Sequence, residues 1–397
     1  MKSDIRNFPV LLFFFVCQIA NCQSIYDKKS VKSIMDKVND YQLAHPWTEF
    51  DDNWIRGTYY TGVMACYQTT NDKKFLDQCD SLGNKLNWQL PALKSDSRSS
   101  GANLLTFAQT WLESYMARKN KDKIEPTISH LENPAIRNPV SSPLKWYYEE
   151  GRRYVDGLFT GPPALAMLYS ITRDEKYVQW MDACFWDVYG NLYDIEKNLF
   201  YRDSRFFPDC LEQRKNDPAW RGNDQVTANG KNVIWSRGNG WALAGIARIL
   251  KYLPPENASY NRYEKLFKDL AYAIKNLQSE EGFWCPNLDD PEHFAVKETS
   301  GTSFFIYGFA YGINNGILDA QEYLPTIEKA WKSVYESVST EGKVQWGQGV
   351  GDRPVMIRKE DSHEYVTGTF LLAASEVYKL KKYTHDSSGM GSDQKNK

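Results

Sequence analysis

From Val31 onward, apolar residues recur at i, i+3 and i+4 in one stretch after another, and polar turns containing Asp, Asn or Gly separate the stretches. One unit repeats: a Gly or small residue, an apolar helical stretch, a polar turn, and a second helical stretch. The first unit begins at Gly57, turns at Asn71-Asp72 and resumes at Phe75. The second runs from Asn103 through Trp111 and Tyr115, turns near Asn120 and resumes toward Ile128. The third begins at Gly157, turns at Arg173-Asp174 and resumes from Tyr177 to Phe185. The fourth covers Gly240 to Tyr252, breaks at Pro254-Pro255 and resumes from Tyr263 to Leu277. The fifth spans Thr302 to Tyr311, turns through Gly316 to Asp319 and resumes from Tyr323 to Val338. The last stretch, Tyr365 to Leu380, pairs with the N-terminal one, Val31 to Gln42. Six hairpins set in a ring make an all-α (α/α)6 barrel, with an inner and an outer helical layer.

Four connections are long: Asn133 to Val155, Asn191 to Trp235, Glu280 to Gly301 and Thr340 to Glu364. They hold most of the Trp, Arg and Asp that fall outside helical core positions. Loops of this length in a compact domain are usually functional, and the alternative is that they shield the helix ends.

Composition narrows the partners. With 48 Lys and Arg against 50 Asp and Glu, the 397-residue chain has a formal charge of −2, so no strong field recruits nucleic acid or an acidic membrane. Its 13 Trp, 25 Tyr and 19 Phe make 14% aromatics, which excludes disorder. Many of these rings belong to a core, and so many Trp and Tyr also suit a cleft that stacks on sugar faces.

The N-terminus carries Lys2 and Arg6, an apolar run from Val10 to Val16, and Ala20-Asn21-Cys22. That is the layout of a signal peptide over residues 1–22, and it predicts an exported protein, periplasmic or secreted, with one domain over 23–383 and a polar tail over 384–397. Cys22 offers an alternative as a lipid-modified first residue, although Asn21 is a poor match to the small residue such a site prefers. No stretch reaches the ~18 to 20 apolar residues of a spanning helix, so no integral membrane segment is expected. Past the signal, Cys66, Cys79, Cys184, Cys210 and Cys285 are odd in number and include no Cys-x-x-Cys pair. A disulfide framework is a weak reading, and Cys66, Cys79 and Cys184 read as small buried hydrophobes. His45, His130, His293, His363 and His385 form no i,i+4 pair, so neither a metal nor another cofactor is expected.

Three constellations could carry chemistry. Tyr154-Val155-Asp156-Gly157-Leu158-Phe159, followed by Gly161-Pro162-Pro163, puts a carboxylate at the entry to an inner helix. Its plainest use is as an N-cap. Ser236-Arg237-Gly238-Asn239-Gly240-Trp241 sets an Arg and a Trp four apart, on one helical face, where glycines permit close approach. The pair suits a carboxylate and a sugar ring, or else a cation–π closure of the helix end. Glu298-Thr299-Ser300-Gly301-Thr302-Ser303 reads as a cap followed by close helix packing.

In this order and spacing the three motifs, together with Trp54-Ile55-Arg56-Gly57-Thr58-Tyr59-Tyr60-Thr61-Gly62-Val63-Met64, resemble the unsaturated rhamnogalacturonyl hydrolases of glycoside hydrolase family 105, relatives of the family 88 unsaturated glucuronyl hydrolases. The likeness runs from about Trp54 to Tyr378 and implies the same barrel. It also implies a substrate, an acidic oligosaccharide whose terminal uronic acid carries the C4=C5 double bond left by a polysaccharide lyase. The family hydrates that enol ether. Asp156 falls at the catalytic aspartate position, where it would protonate C4 and then help water add at C5, so that the resulting hemiketal opens and frees the neighbouring sugar. Arg237 and Trp241 match the binding pair, implying a salt bridge to a substrate acid group and a stacking face. Trp54, Tyr154, Asn103 and Arg202 complete the expected binding set.

Two departures bear on this. Relatives carry an acidic pair where Asn103-Leu104 stands here, which puts a second assisting carboxylate in doubt, and Asp96 is an unconvincing substitute. Some relatives have a His where Arg202 falls, and an Arg there suits a more anionic substrate, such as a sulfated rhamnose-rich polysaccharide like ulvan, or else a surface ion pair with Asp203. Rhamnogalacturonan remains the other source. Two further functions stay open: an inverting glycosidase with two carboxylates ~6.5 to 9.5 Å apart, and a non-catalytic glycan-binding protein.

Overall fold

The computed structural model describes residues 24–47, 53–90, 101–133, 153–208 and 226–381. The signal segment with Cys17 and Cys22, and also Asp96, Cys210, His385 and the C-terminal tail, lie outside the described residues. In chain order the helices are α1 (Lys28–Ala44), α2 (Trp54–Thr70), α3 (Lys73–Lys85), α4 (Gly101–Arg118), α5 (Glu125–Glu132), the single turn α6 (Gly157–Thr160), α7 (Pro162–Thr172), α8 (Lys176–Leu192), α9 (Ser236–Tyr252), α10 (Tyr260–Lys275), α11 (Thr299–Asn314), α12 (Ala320–Tyr335) and α13 (Glu364–Lys379). Helices α2, α4, α7, α9, α11 and α13 each pack on the next, and α13 closes on α2. The result is the (α/α)6 barrel.

The two layers differ in sequence for a physical reason. An inner helix has neighbours on every side, so its burial runs round the whole circumference, unbroken from Ile55 to Cys66 in α2 and from Glu364 to Val377 in α13. An outer helix has one wet face: α10 buries Tyr263, Leu266, Phe267, Leu270, Ala271 and Ile274, the stripe of a 3.6-residue period. Ring closure depends on two glycines. A Cβ on Gly62 would run into the backbone of Gly368, and one on Gly368 would run into Thr58 and Tyr59, so both positions need a bare Cα. Cys66, Cys79 and Cys184 are fully buried in the core.

Helix starts differ from the expected ones by a few residues, and one difference matters. The third inner helix is broken at Gly161 into α6 and α7 because Pro162 and Pro163 cannot supply N–H groups to a continuing ladder. The break leaves Asp156 on a short turn instead of on a long helix. That turn is held from below, where the Gln109 amide donates to the Phe159 carbonyl at 2.7 Å. Gln109 in turn accepts from Arg248 Nε at 2.5 Å, and Arg248 Nη2 reaches Glu113 at 3.0 Å. All three side chains are fully buried or nearly so.

Candidate active site

The inner helices all begin at one end of the barrel, and the sequence-predicted residues gather there. The two-stranded hairpin β1 (Tyr193–Asp194) and β2 (Leu199–Phe200) brings the chain to this end. Asn239, one helical position past Gly238, fastens it: its side-chain oxygen accepts from Phe200 N at 2.8 Å and its amide donates to Phe200 O at 3.0 Å. The chain beyond then pairs with the Asp156 segment through an antiparallel bridge of Tyr154 with Asp203 and a bond from Val155 N to Arg202 O at 2.9 Å. Asp156 and Arg202 are thereby neighbours.

Asp156 occupies the N-cap position of α6 but makes no capping hydrogen bond. Its Oδ2 lies 3.2 Å from Arg202 Nε, with the two side chains only 17% and 16% exposed. Both atoms are buried, yet neither has a hydrogen-bond partner among the described residues. They attract as charges without aligning as donor and acceptor. Burial raises the Asp156 carboxyl above its usual value, against the lowering pull of Arg202 and Arg237. Arg202 also donates to Asp203 at 2.7 Å, so the expected surface pair is in fact buried, with Asp203 at 1% exposure. Arg205 grips both Asp203 oxygens at 2.8 and 2.7 Å and reaches Asp352 at 2.8 Å, and Arg353 meets Asp352 at 2.9 Å. Despite its burial, the Asp203 carboxyl is pulled down to about 2 by Arg205 and Arg202.

Arg237 is 2% exposed. It donates to Gln348 O at 2.8 Å, Tyr365 Oη at 2.8 Å and Gly349 O at 3.0 Å, and its guanidinium lies over Trp235 and Tyr365, 4.4 and 4.8 Å from the ring centroids. The structure thus commits it to the loop before α13. Glu298 caps α11, accepting from Ser300 N, Ser300 Oγ and Gly301 N, and also from Gln348 N at 3.3 Å, so the same loop is held from two sides. Trp241 is 2% exposed and packs on Phe159 and Phe304. Trp54 is more open: it meets Trp241 edge-on and stacks on Tyr365 at 5.7 Å, His363 stacks on Tyr365 at 4.9 Å, and Trp47 tilts against His363 at 4.7 Å. Asn103 accepts from Tyr154 Oη at 3.4 Å, and Arg202 lies over the Tyr154 ring. Among the described residues, no group of His, Cys, Asp and Glu has the makings of a metal site.

The sequence profile described as Glycosyl Hydrolase Family 88 matches residues 26–381. The chain belongs to glycosyl hydrolase family 88. An unsaturated 3S-rhamnoglycuronyl hydrolase of Formosa agariphila is 31% identical over 367 residues, 89% of this chain and 91% of the relative. One of the same description from an Alteromonas species is 33% identical over 82% of this chain and 77% of the relative. Among solved structures, a family 88 glycosyl hydrolase from Bacteroides vulgatus superposes with a TM-score of 0.78 at 27% identity, covering 89% of this chain and all of that one. This family 88 protein is a glycoside hydrolase of the unsaturated uronyl type, acting on an oligosaccharide, and no helix among its described residues is long and apolar enough to cross a membrane.

Sequence reasoning brought Asp156, Arg202, Tyr154 and Asn103 to one cluster, and Trp54, Trp241 and Arg237 to the adjoining aromatic wall. It missed Arg205, Asp352 and Arg353, which extend the charge row, and Tyr365 and His363, which carry the stack. His363 had been weighed only as a metal ligand. Burial and Arg237 lower its pKa to about 4, and it caps α13 by accepting from Glu364 N.

Proposed function

We propose that the enzyme removes a Δ4,5-unsaturated uronyl residue from rhamnose in an oligosaccharide that carries a further anionic substituent, as lyase digests of a sulfated rhamnose polysaccharide such as ulvan do. Asp156 acts as the acid and then the base. In the first half-step its proton goes to C4 and the double-bond electrons follow, leaving positive charge shared by C5 and the ring oxygen. In the second, water adds to C5 and gives its proton to the Asp156 carboxylate, and the hemiketal opens to release the rhamnose. Trp54 offers the more exposed ring for stacking, and Trp241 backs it from within the core. The observation that carries this reading is the carboxyl of Asp156, raised by burial and touched by Arg202 without a hydrogen bond. A rhamnogalacturonan source fits the relatives less well, since the rhamnogalacturonyl hydrolase of Bacillus subtilis is 22% identical against 31–33% for the rhamnoglycuronyl ones.

The rival inverting mechanism asks for a second carboxylate able to activate water. Among the described residues, Asp203 is the other carboxylate in contact with Arg202, and both its oxygens are taken up by arginines. The test follows the ultraviolet absorbance of the conjugated uronate in lyase digests of ulvan and of rhamnogalacturonan. Decay on the ulvan digest that is lost in Asp156→Asn is the expected result, and decay that survives this substitution overturns the reading. Export fits the charged, apolar and small-residue order of residues 1–22. It predicts that the mature chain starts near Gln23, with lipid on Cys22 as the competing outcome of the same N-terminal mass measurement.

A further inference from the structure

The charged side chains at the mouth form a single row in which signs alternate: Asp156, Arg202, Asp203, Arg205, Asp352, Arg353. Three acids face three bases, so the row is neutral while Asp156 is ionised and carries one excess positive charge when Asp156 is protonated. The links are unequal. Asp203 is bonded through both oxygens by Arg202 and Arg205, and Asp352 by Arg205 and Arg353. Only the terminal contact, Asp156 to Arg202, lacks a hydrogen bond, and it leaves a buried carboxylate oxygen and a buried Nε unsatisfied together. A buried donor and acceptor without partners are costly, and this is where an incoming anion has most to gain.

We propose that Arg202 is a shared counterion which the anionic group of the substrate takes from Asp156, so that substrate binding and proton uptake by Asp156 are a single linked event. This deepens, and rests on, the reading of Asp156 as the acid. An anionic oxygen that accepts from Arg202 Nε supplies the bond Asp156 does not make and leaves the carboxylate without its closest positive charge. The carboxylate then takes a proton from solvent, which restores neutrality to the row and arms the acid for transfer to C4. Departure of the product returns Arg202 to the ionised carboxylate. Among the described residues, the groups acting on Asp156 from the surrounding segments are Arg202 and Asp203 beyond β2, Arg237 on α9 and Tyr365 on α13. Arg237 is held by Gln348, Gly349 and Tyr365, and Asp203 by two arginines, so Arg202 is the member with a loose bond to exchange.

The carboxylate of the uronate and a sulfate on the neighbouring sugar share this chemistry, and separate probes distinguish them. Titration calorimetry of the whole protein with sodium glucuronate and with sodium sulfate, each in two cationic buffers of different ionisation enthalpy, reads the protons taken up per anion bound. The expected result is uptake approaching about one proton at a pH between the free and bound ionisations of Asp156, for whichever probe Arg202 receives. Asp156→Asn should bind that probe with no uptake. Arg202→Gln should bind it about ten- to a hundred-fold more weakly, also without uptake, while Arg202→Lys keeps the uptake at reduced affinity. The kcat profile should place the acid's ionisation at higher pH than the kcat/KM profile does, and Arg202→Gln should merge the two. Three results overturn the proposal: no binding of either probe, binding to the parent without uptake, or uptake that persists in Asp156→Asn. Turnover surviving Asp156→Asn sinks the acid itself; turnover lost in that variant, with no uptake in the parent, sinks only the linkage.

Discussion

Asp156 and Glu113 are both carboxylates set beside an arginine inside the same barrel, and their carboxyls shift in opposite directions. Glu113 and its partner Arg248 are fully buried, and Asp156 and Arg202 are mostly so. Burial pushes both carboxyls upward and is the largest influence on each. For Glu113 it is outweighed by the charges of Arg248 and Lys251 and by hydrogen bonds from Tyr252 and Arg248, so the group ends below its usual value. For Asp156 burial wins. An adjacent arginine therefore does not by itself set the direction of a carboxyl's shift: Glu113 adds the charge of Lys251 and side-chain hydrogen bonds from Tyr252 and Arg248 to the pull of its arginine, whereas Asp156 receives no hydrogen bond from Arg202. The contact between Glu113 and Arg248 is hydrogen-bonded, and that between Asp156 and Arg202 is not.

The sharpest way to break the comparison is to remove each carboxylate system in turn. Asp156→Asn is expected to lower kcat by about 10²–10⁴-fold and to shift unfolding free energy by less than ~1 kcal/mol, as read by steady-state turnover and a urea midpoint. Arg248→Met should act first on stability. It strands Glu113 without its buried partner, at a cost of about 3–5 kcal/mol, part of which Glu113→Gln in the same chain should restore. A urea midpoint unmoved by Arg248→Met would end the assignment of that pair to structure.

Asp203 sharpens the contrast through pH. Its carboxyl sits at about 2 against an ordinary 3.8, so the stability it contributes is whole above the ordinary value and is lost as pH falls through about 2. The margin of the parent over Asp203→Asn should shrink by about 2 kcal/mol between roughly pH 5 and pH 2, and a margin flat in pH would refute the ion-pair role. The smallest effect is expected from Tyr252→Phe, which takes one hydrogen bond from Glu113. The substitution should move that carboxyl upward, toward the behaviour of Asp156, at a cost of about 1 kcal/mol, as followed by the infrared carboxyl band over a pH series.

The barrel was legible in the sequence because its signal is local. Helical spacing, the Asn71-Asp72 and Arg173-Asp174 turns and the proline break after Tyr252 all act within a few residues. Asp156 and Arg237 were legible as motifs, but their partners were not. Arg202 meets Asp156 across 46 residues and Arg205 meets Asp352 across 147, through loops with no period to read. Arg237 shows the limit most clearly. The motif placed it at a helix start near the mouth, as found, yet its donors go to carbonyls of the loop before α13, whose position nothing in the motif encodes.

The closure of α13 on α2 through Gly62 and Gly368 also sets a schedule for assembly. Synthesis delivers the staves in order, but the ring stays open on one side until the last of them has emerged. That final stave brings Tyr365, which backs Trp54 and receives Arg237. A nascent chain stopped before Glu364 thus lacks both the seam of the barrel and part of the wall of its mouth. Completion of the fold and completion of the aromatic wall arrive with the same sixteen residues.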